Sequence, residues 1–279
     1  MLCSPLVTVR TVAFVVKPES EEARGLAAEL SEMLAARGIR VVREGEDSFA
    51  DADLCVVAGG DGTLIHAAAL VGGAEVPIFG INAGGQLGFL TEIPRDRARE
   101  LLTAALAGRC PVERRGKLRA RVLRRGETLV DAEVLNDAVI HRGALPQMVE
   151  LVTRVDGAPV GSLRADGVIV ATPTGSTAYS LAANGPVVYP TLDAVLVNPI
   201  CPHMLTQRPL VVPSRCCTEI EVAAAGGEVQ LSLDGRTAAS LRAGDRVRIE
   251  RAAHHCMLIK NPDLDFFSIL REKLRWSER

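Results

Sequence analysis

The sequence predicts an α/β domain with a doubly wound parallel sheet, followed by a β-rich, sandwich-like domain. Three observations carry this. Strand-like apolar runs alternate with helical patterns up to about residue 112, period-2 strands separated by turn pairs follow, and an amphipathic helix closes the chain. Thr11 to Val16 is an apolar run stopped by Lys17-Pro18, and Glu19 to Arg37 repeats Leu26, Leu30 and Leu34 at helical spacing before Gly38 ends it. Arg40 to Val42 is a weak strand, Leu54 to Ala58 a strong one, Leu64 to Val71 a helix, Pro77 to Ile81 a strand, and Arg95 to Leu106 a helix. Strands that are apolar at every position belong to a parallel sheet covered on both faces.

From Lys117 onward the strands are Glu133 to Ile140, Val149 to Val155, Val168 to Ala171, Ile220 to Val222, Val229 to Leu233 and Arg246 to Glu250. Asp156-Gly157, Asp166-Gly167 and Asp234-Gly235 read as hairpin turns. One helix is expected around Ser176 to Ala183. The last helix, with Leu264, Phe267, Leu270 and Leu274 on one face, is expected to pack back on the α/β part. The expected domains are residues 1–112 with 261–279, and residues 113–260.

With 32 basic against 34 acidic residues, the chain has no global field that would draw it to nucleic acid or an anionic membrane. No apolar run reaches the length of a membrane span, and the N-terminus lacks a basic leader. Seven scattered cysteines, without CxxC spacing or histidine partners, point to a reducing, cytoplasmic setting and to no bound metal. The basic stretch Arg114, Arg115, Lys117, Arg119, Arg121, Arg124 and Arg125 has no aromatic stackers, and its alternation suits the solvated face of a strand.

Chemistry concentrates in three segments. In Cys55 to Ala67 an apolar strand runs into Gly59-Gly60-Asp61-Gly62 and then a helix opening at Thr63, which aims backbone N–H groups at a phosphate. This is neither the Rossmann nor the P-loop pattern. A carboxylate among phosphate-binding glycines is costly unless it performs a task, such as accepting a proton or lying near a phosphate-bound metal. In Arg164 to Asn184 a second strand ends in the hydroxyl-rich turn Thr172-Pro173-Thr174-Gly175-Ser176-Thr177. Single hydroxyls there would be caps, but their density suits a polyhydroxylated or phosphorylated ligand. Asn136-Asp137 interrupts an apolar strand with adjacent donor and acceptor groups suited to a ribose diol, although Asn-Asp is also an ordinary turn pair.

Taken together, GGDGT (Gly59 to Thr63), LGFL (Leu87 to Leu90), LND (Leu135 to Asp137), TPTGSTAYS (Thr172 to Ser180) and the proline-rich Pro199 to Pro209 resemble the NAD kinase family along nearly the whole chain. GGDGT is shared with lipid kinases and phosphofructokinases, while TPTGSTAYS is far more specific. The resemblance implies an enzyme that transfers the terminal phosphoryl group of ATP, or of polyphosphate, to the 2'-hydroxyl of the adenosine ribose of NAD. It implies Asp61 as the base, and Gly59, Gly60, Gly62 and Thr63 as the phosphate cradle. His66, four residues after Gly62 on the same helix, could also reach a phosphate. NAD contacts fall on Asp61, Gly62, Asn136, Asp137, Arg164, Asp166, Thr174, Thr177, Ala178, Tyr179, Ser180, Ala182 and Arg236. Mg²⁺ arriving with ATP, no permanently bound metal, and a homodimer or homotetramer are the further implications.

The ligand is expected at the carboxyl ends of the parallel strands, with GGDGT on one wall and TPTGSTAYS on the other. The chain also departs from the family pattern. Asn82 to Gly88 looks one residue longer than usual and lacks a basic residue, Asn184 stands where a second Gly is common, and Gln147 replaces a frequent His. A lipid or sugar kinase would share GGDGT but leave TPTGSTAYS unexplained. A noncatalytic NAD(P)-binding regulator would not require Asp61.

Overall fold

Every residue of the run Leu54 to Gly59 is buried, as a central strand of a covered parallel sheet must be. The structure, a computed structural model, describes residues 9–84, 87–143, 147–225 and 227–276. Two units separate by their internal packing: Met1–Arg115 with His254–Arg279, and Gly116–Ala253.

The first unit contains β1 (Thr11–Val16), α1 (Glu21–Ala35), β2 (Arg40–Arg43), β3 (Leu54–Gly59), α2 (Asp61–Val71), β4 (Ile78–Asn82), β5 (Ile93–Pro94) and α3 (Ala98–Leu106). Its strands pair in parallel in the order β2-β1-β3-β4, with β5 beside β4. On one face Val12, Phe14, Val56, Phe79 and Ile81 pack with Leu26, Leu30 and Leu34 of α1 and Leu101 and Leu102 of α3. Each large side chain fully buried there contributes about 1.5–3 kcal/mol over exposure. Helix α2 lies on the other face, where Leu64 takes the space a Cβ at Gly80 would need.

Ser20 starts α1, its hydroxyl accepting the Ala23 N–H at 3.2 Å, which places the helix start two residues after the expected Glu19. Helix α2 starts two residues before the expected Thr63, because the extended Gly60 offers its carbonyl to the Thr63 and Leu64 N–H groups.

The second unit contains β6 (Val112–Arg124), β7 (Glu127–Val134), β8 (Asp137–Arg142), β9 (Val149–Val155), β10 (Ala158–Ala165), β11 (Gly167–Ala171), α4 (Tyr179–Ala182), β12 (Ala194–Ile200), β13 (Leu210–Pro213), β14 (Thr218–Ala225), β15 (Val229–Leu233), β16 (Arg236–Leu241) and β17 (Arg246–Ile259). The first residues of β6 and the last of β17 belong to the first unit, where Leu258 and Ile259 pair with Ile78 and Phe79 of β4. One sheet of the second unit runs β10-β9-β14-β17, continued by β6 and β7; the other runs β13-β12-β11-β8-β15-β16 with every pair antiparallel. Alternate residues of both sheets, among them Leu151, Ile220 and Val247 against Ile140, Val168 and Leu231, enclose one apolar core. This is sandwich packing.

Several local expectations are corrected. The strand read as Glu133 to Ile140 is two strands in different sheets, β7 and β8, broken at Leu135-Asn136. Asp166-Gly167 is not a hairpin turn but the crossing from one sheet to the other, whereas Asp156-Gly157 and Asp234-Gly235 are two-residue hairpin turns with both φ angles positive. The helix expected over Ser176 to Ala183 is a 3₁₀ turn (Thr174–Thr177), a break at Ala178, and the single turn α4. Hydroxyls divert the backbone there: Thr172 Oγ1 accepts the Gly175 N–H, and Ser176 Oγ donates to the Pro173 carbonyl.

The terminal helix, α5 (Phe266–Leu274), falls in the first unit but buries Ile269 and Leu270, while Phe267 of the expected face is exposed. The basic stretch is only partly solvated. Arg115 and Lys117 are buried, Lys117 bonding Glu133 at 2.9 Å, and Arg119, Arg121 and Arg124 pair with Asp131, Glu250 and Asp245. Among the described residues no helix is long and apolar enough to cross a membrane.

The sheet crossing gives a stability prediction. A Cβ at Gly167 would lie 2.3 Å from the Ile140 carbonyl oxygen and 2.9 Å from the His141 Cα, both backbone atoms. Gly167→Ala should therefore destabilise the protein by about 1–3 kcal/mol or more, read as a lower urea midpoint at unchanged slope.

Candidate functional site

Gly59 ends β3 where α2 must turn back over the sheet, and a Cβ on it would lie 2.4 Å from Thr63 Oγ1. Gly60 caps α2 without a side chain, which leaves the helix N-terminus open. Asp61 is the first helical residue. Its Oδ2 accepts the Phe89 N–H at 2.8 Å; its Oδ1 accepts the Leu90 and Thr91 N–H groups at 3.1 and 3.0 Å and the Thr91 hydroxyl at 2.9 Å. Gly88 makes this possible, because a Cβ there would lie 2.2 Å from Asp61 Oδ1. Four donors orient one carboxylate, and Oδ2, with a single donor, keeps capacity for a further hydrogen bond.

The donor segment is anchored from behind. Lys260 donates to the buried Glu92, Asn261 Nδ2 reaches the Glu92 carbonyl at 3.4 Å, and Asn82 Nδ2 reaches Thr91 Oγ1 at 3.3 Å. Burial brings the Lys260 ammonium down to about 8. Lys273 of α5 lies 6.0 Å from the centre of the Phe89 ring. His66, expected near a phosphate, bonds Glu44 at 2.9 Å. Gly85 and Gln86, where the Asn82 to Gly88 link looked long, lie outside the described residues.

A cavity of about 820 Å³ opens in the same unit between Asn82, Leu87, Arg95, Arg97, Asn261 and Glu272. Arg97 pairs with Glu100 and Asp263, and Arg99 on the same wall with Glu29, so little net positive charge faces it. No group of three or more His, Cys, Asp or Glu side chains among the described residues could hold a metal ion.

In the second unit the break at Leu135-Asn136 is held from two sides. Thr172, following β11, donates its N–H to the Asn136 carbonyl at 2.8 Å and its hydroxyl to the Leu135 carbonyl at 2.7 Å. Asp234 accepts the N–H groups of Leu135, Asn136 and Asp137 at 2.8, 2.7 and 3.1 Å. Gly175 presses on the Asn136 backbone, with only 2.2 Å between an added Cβ and the Asn136 carbonyl oxygen. The hydroxyl-rich turn and the Asn-Asp pair thus form one cluster. Asn136 is 7% exposed, and its Oδ1 has no hydrogen-bond partner among the described residues. Burial, and then the neighbouring Asp234 carboxylate, push Asp137 up to about 7.

The other expected residues differ in what they offer. Arg164, Tyr179, Ala182 and Arg236 are exposed, Ala178 and Thr177 half-buried, and Thr174 buried. The Thr177 hydroxyl donates to the Thr174 carbonyl at 3.2 Å. Ser180 is fully buried, with its carbonyl and hydroxyl bonded by Asn198 at 3.0 and 3.4 Å, and Asp166 accepts Arg142 Nε at 2.8 Å. Asn184 has φ 61°, a left-handed conformation that Gly or Asn tolerates best, which accounts for Asn where Gly is common.

Sequence reasoning missed the Asp61 donors at Phe89 to Thr91, the Glu92–Lys260 pair and the second task of Asp234. Asp234 left a signal as an Asp-Gly turn close behind a strand, and the Asp61 donors left one in the LGFL motif, which holds Gly88, Phe89 and Leu90. Lys260→Met would strand Glu92 as a buried, uncompensated charge. The expected cost is about 3–5 kcal/mol in thermal or chemical denaturation, largely recovered by also making Glu92→Leu.

Family models match the chain in two pieces: ATP-NAD kinase N-terminal domain over residues 43–110 and ATP-NAD kinase C-terminal domain over residues 135–261. The NAD kinase of Geobacter sulfurreducens is 41% identical over 285 residues, and that of Citrifermentans bemidjiense 44% over 289, each match covering 97% of this chain and 100% of the relative. Yeast NADH kinase, solved with NADH, superposes with a TM-score of 0.91 at 26% identity, covering 98% of this chain and 89% of that one. An NAD kinase from Archaeoglobus fulgidus, solved with ATP, gives 0.78 at 27% identity, covering 95% and 98%. With nearly its whole length aligned to these relatives, this chain belongs to the ATP-NAD kinase family.

Proposed function

We propose that this protein makes NADP, transferring the terminal phosphoryl group of ATP to the 2'-hydroxyl of the adenosine ribose of NAD, with Asp61 as the base. The carrying observation is the Asp61 carboxylate, locked by four donors at the open N-terminus of α2 yet with Oδ2 free to accept one more hydrogen. A carboxylate is far less basic than an alkoxide, so the proton passes to Oδ2 only as the new P–O bond forms. Gly59, Gly60, Gly62 and Thr63 bring backbone close to the phosphates, and the helix N-terminus favours their charge. Most of the acceleration comes from holding donor and acceptor in line.

A divalent cation suits this chain as a companion of the donor. With no cluster of three or more ligating side chains among the described residues, phosphate oxygens would supply most of its ligands, and Asp61 is the carboxylate of this bend. When bound, it neutralises charge on the transferring phosphoryl group.

For NAD, Asn136 and Asp137 supply polar atoms from a buried, locked break, and Arg164, Tyr179, Ala182 and Arg236 offer exposed surface. Thr174, Thr177, Ala178, Ser180 and Asp166 shape this wall, several through bonds already committed within the protein. A reducing, cytoplasmic setting fits Cys55, Cys110, Cys201, Cys216 and Cys217, all free thiols. Self-association is read at the edge strand β13, where Leu210 and Val211 are exposed beside Met204 and the 89% exposed Leu205.

The deciding assay supplies ATP or polyphosphate with Mg²⁺ and NAD and scores NADP through glucose-6-phosphate dehydrogenase. Asp61→Asn should lose about 10²–10⁴ in kcat while NAD still binds; undiminished turnover would remove Asp61 from the chemistry. Gly88→Ala, which pushes the carboxylate from its donors, should cut kcat with a smaller effect on KM. For assembly, Leu205→Asp with Val211→Asp should lower the mass measured by light scattering, and an unchanged mass would move the interface elsewhere.

A further inference from the structure

We infer that Asp234 is a positioning residue for the dinucleotide: it fixes the backbone of the Asn136-Asp137 pair and sets its own carboxylate beside the Asp137 side chain. The inference rests on the NAD-binding role proposed above for that pair.

The geometry is that of a clamp. Asp234 and Gly235, with φ 48° and 77°, form the two-residue turn between β15 and β16, which turns the Asp234 carboxylate toward the end of β8. Its oxygens accept three successive N–H groups, Leu135 on Oδ2 and Asn136 and Asp137 on Oδ1, while its own N–H donates to the Asp137 carbonyl at 3.0 Å. A hairpin turn needs none of these four bonds. They hold one of the places where the chain passes from one sheet to the other: Asn136 lies outside the strand ladders, and Asp137 opens β8 opposite Ala171.

Charge supplies the second part. The group facing Asp137 from the β15–β16 turn is the Asp234 carboxylate, while the adjoining residues of β11 and its following turn, Ala171, Thr172 and Thr174, do not titrate. Lys117 of β6 acts on Asp234 and is itself bonded to Glu133 of β7. Burial raises Asp234, but its three N–H donors and Lys117 oppose that rise; Asp137 has no such help and carries the proton of the pair. A protonated Asp137 donates, and Asn136 Oδ1, buried and unpartnered among the described residues, accepts. Two adjacent residues then meet a vicinal diol with both kinds of hydrogen bond.

The test is calorimetric titration of the full-length protein with NAD at about pH 6, 7 and 8, without ATP. The Asp137 donor is present below about pH 7 and lost above it, so wild-type Kd should weaken as pH rises, by up to about tenfold per unit once Asp137 has ionised. Asp234→Asn keeps an oxygen for the Asn136 and Asp137 N–H groups but removes the charge. Its weakening should begin about one pH unit lower. Asp137→Asn, a permanent donor, should flatten the profile.

Asp234→Ala, which removes three bonds to the clamp, should raise Kd and the KM for NAD about tenfold or more, with kcat and the KM for ATP little changed. Wild-type affinity and pH profile in both Asp234 variants would overturn the inference. So would an Asp234→Ala protein that loses thermal stability together with affinity for both substrates; should that variant not fold, the Asp234→Asn profile decides. Failure of the wild-type protein to form NADP in the coupled assay would instead strike the activity on which the inference rests.

Discussion

A carboxylate accepting three consecutive backbone N–H groups is the constraint on which both candidate sites depend. Asp61 takes the N–H groups of Phe89 to Thr91 in the first unit, and Asp234 those of Leu135 to Asp137 in the second. A run of N–H groups pointing one way is costly to bury unpaired, and a single ionised acceptor satisfies it with charge-assisted bonds. The two cases point in opposite directions. In the first unit the loop orients the carboxylate, which is the proposed base; in the second the carboxylate orients the loop, which carries the proposed NAD-binding groups.

Close approach makes both possible, and glycine provides it at particular points. Gly88 leaves room for Asp61 Oδ1, Gly59 lets Thr63 fold back against β3, and Gly175 lets the hydroxyl-rich turn rest on the Asn136 backbone. In each case the atom that a Cβ would strike is part of a candidate site, so these glycines matter for the space they leave. The hydroxyls of the TPTGSTAYS segment serve a related end. Thr172, Ser176 and Thr177 bond main-chain carbonyls, which fixes the irregular path between β11 and α4. That path, more than the hydroxyls themselves, presents Ala178 and Tyr179 at the surface.

Much of the fold was legible because its strands are simple. Leu54 to Gly59 and Thr11 to Val16 follow the expected runs to within a residue, since a strand buried on both faces has one signature, an unbroken apolar stretch. Two of the readings that failed sit where a polar residue has a distant partner. Glu133 to Ile140 is apolar enough to pass for one strand, and its break is held by partners far along the chain: Thr172 on the carbonyls and Asp234, about a hundred residues later, on the N–H groups. Asp166-Gly167 has the composition of a hairpin turn, yet Arg142 holds the carboxylate where the chain crosses between sheets.

By itself the sequence determined the α/β then β order of the elements, the strand-to-helix bend that carries Asp61, and the family to which the chain was likened, because these depend on local periodicity, glycine content and short ordered motifs. Tertiary structure alone decided which groups face those motifs: the Phe89 to Thr91 donors, the Lys260 cation behind Glu92, and the Asp234 clamp on Asn136 and Asp137. The physical reason is that a hydrogen bond or ion pair is set by distance in space, and nothing in the local pattern around one partner records where the other will arrive.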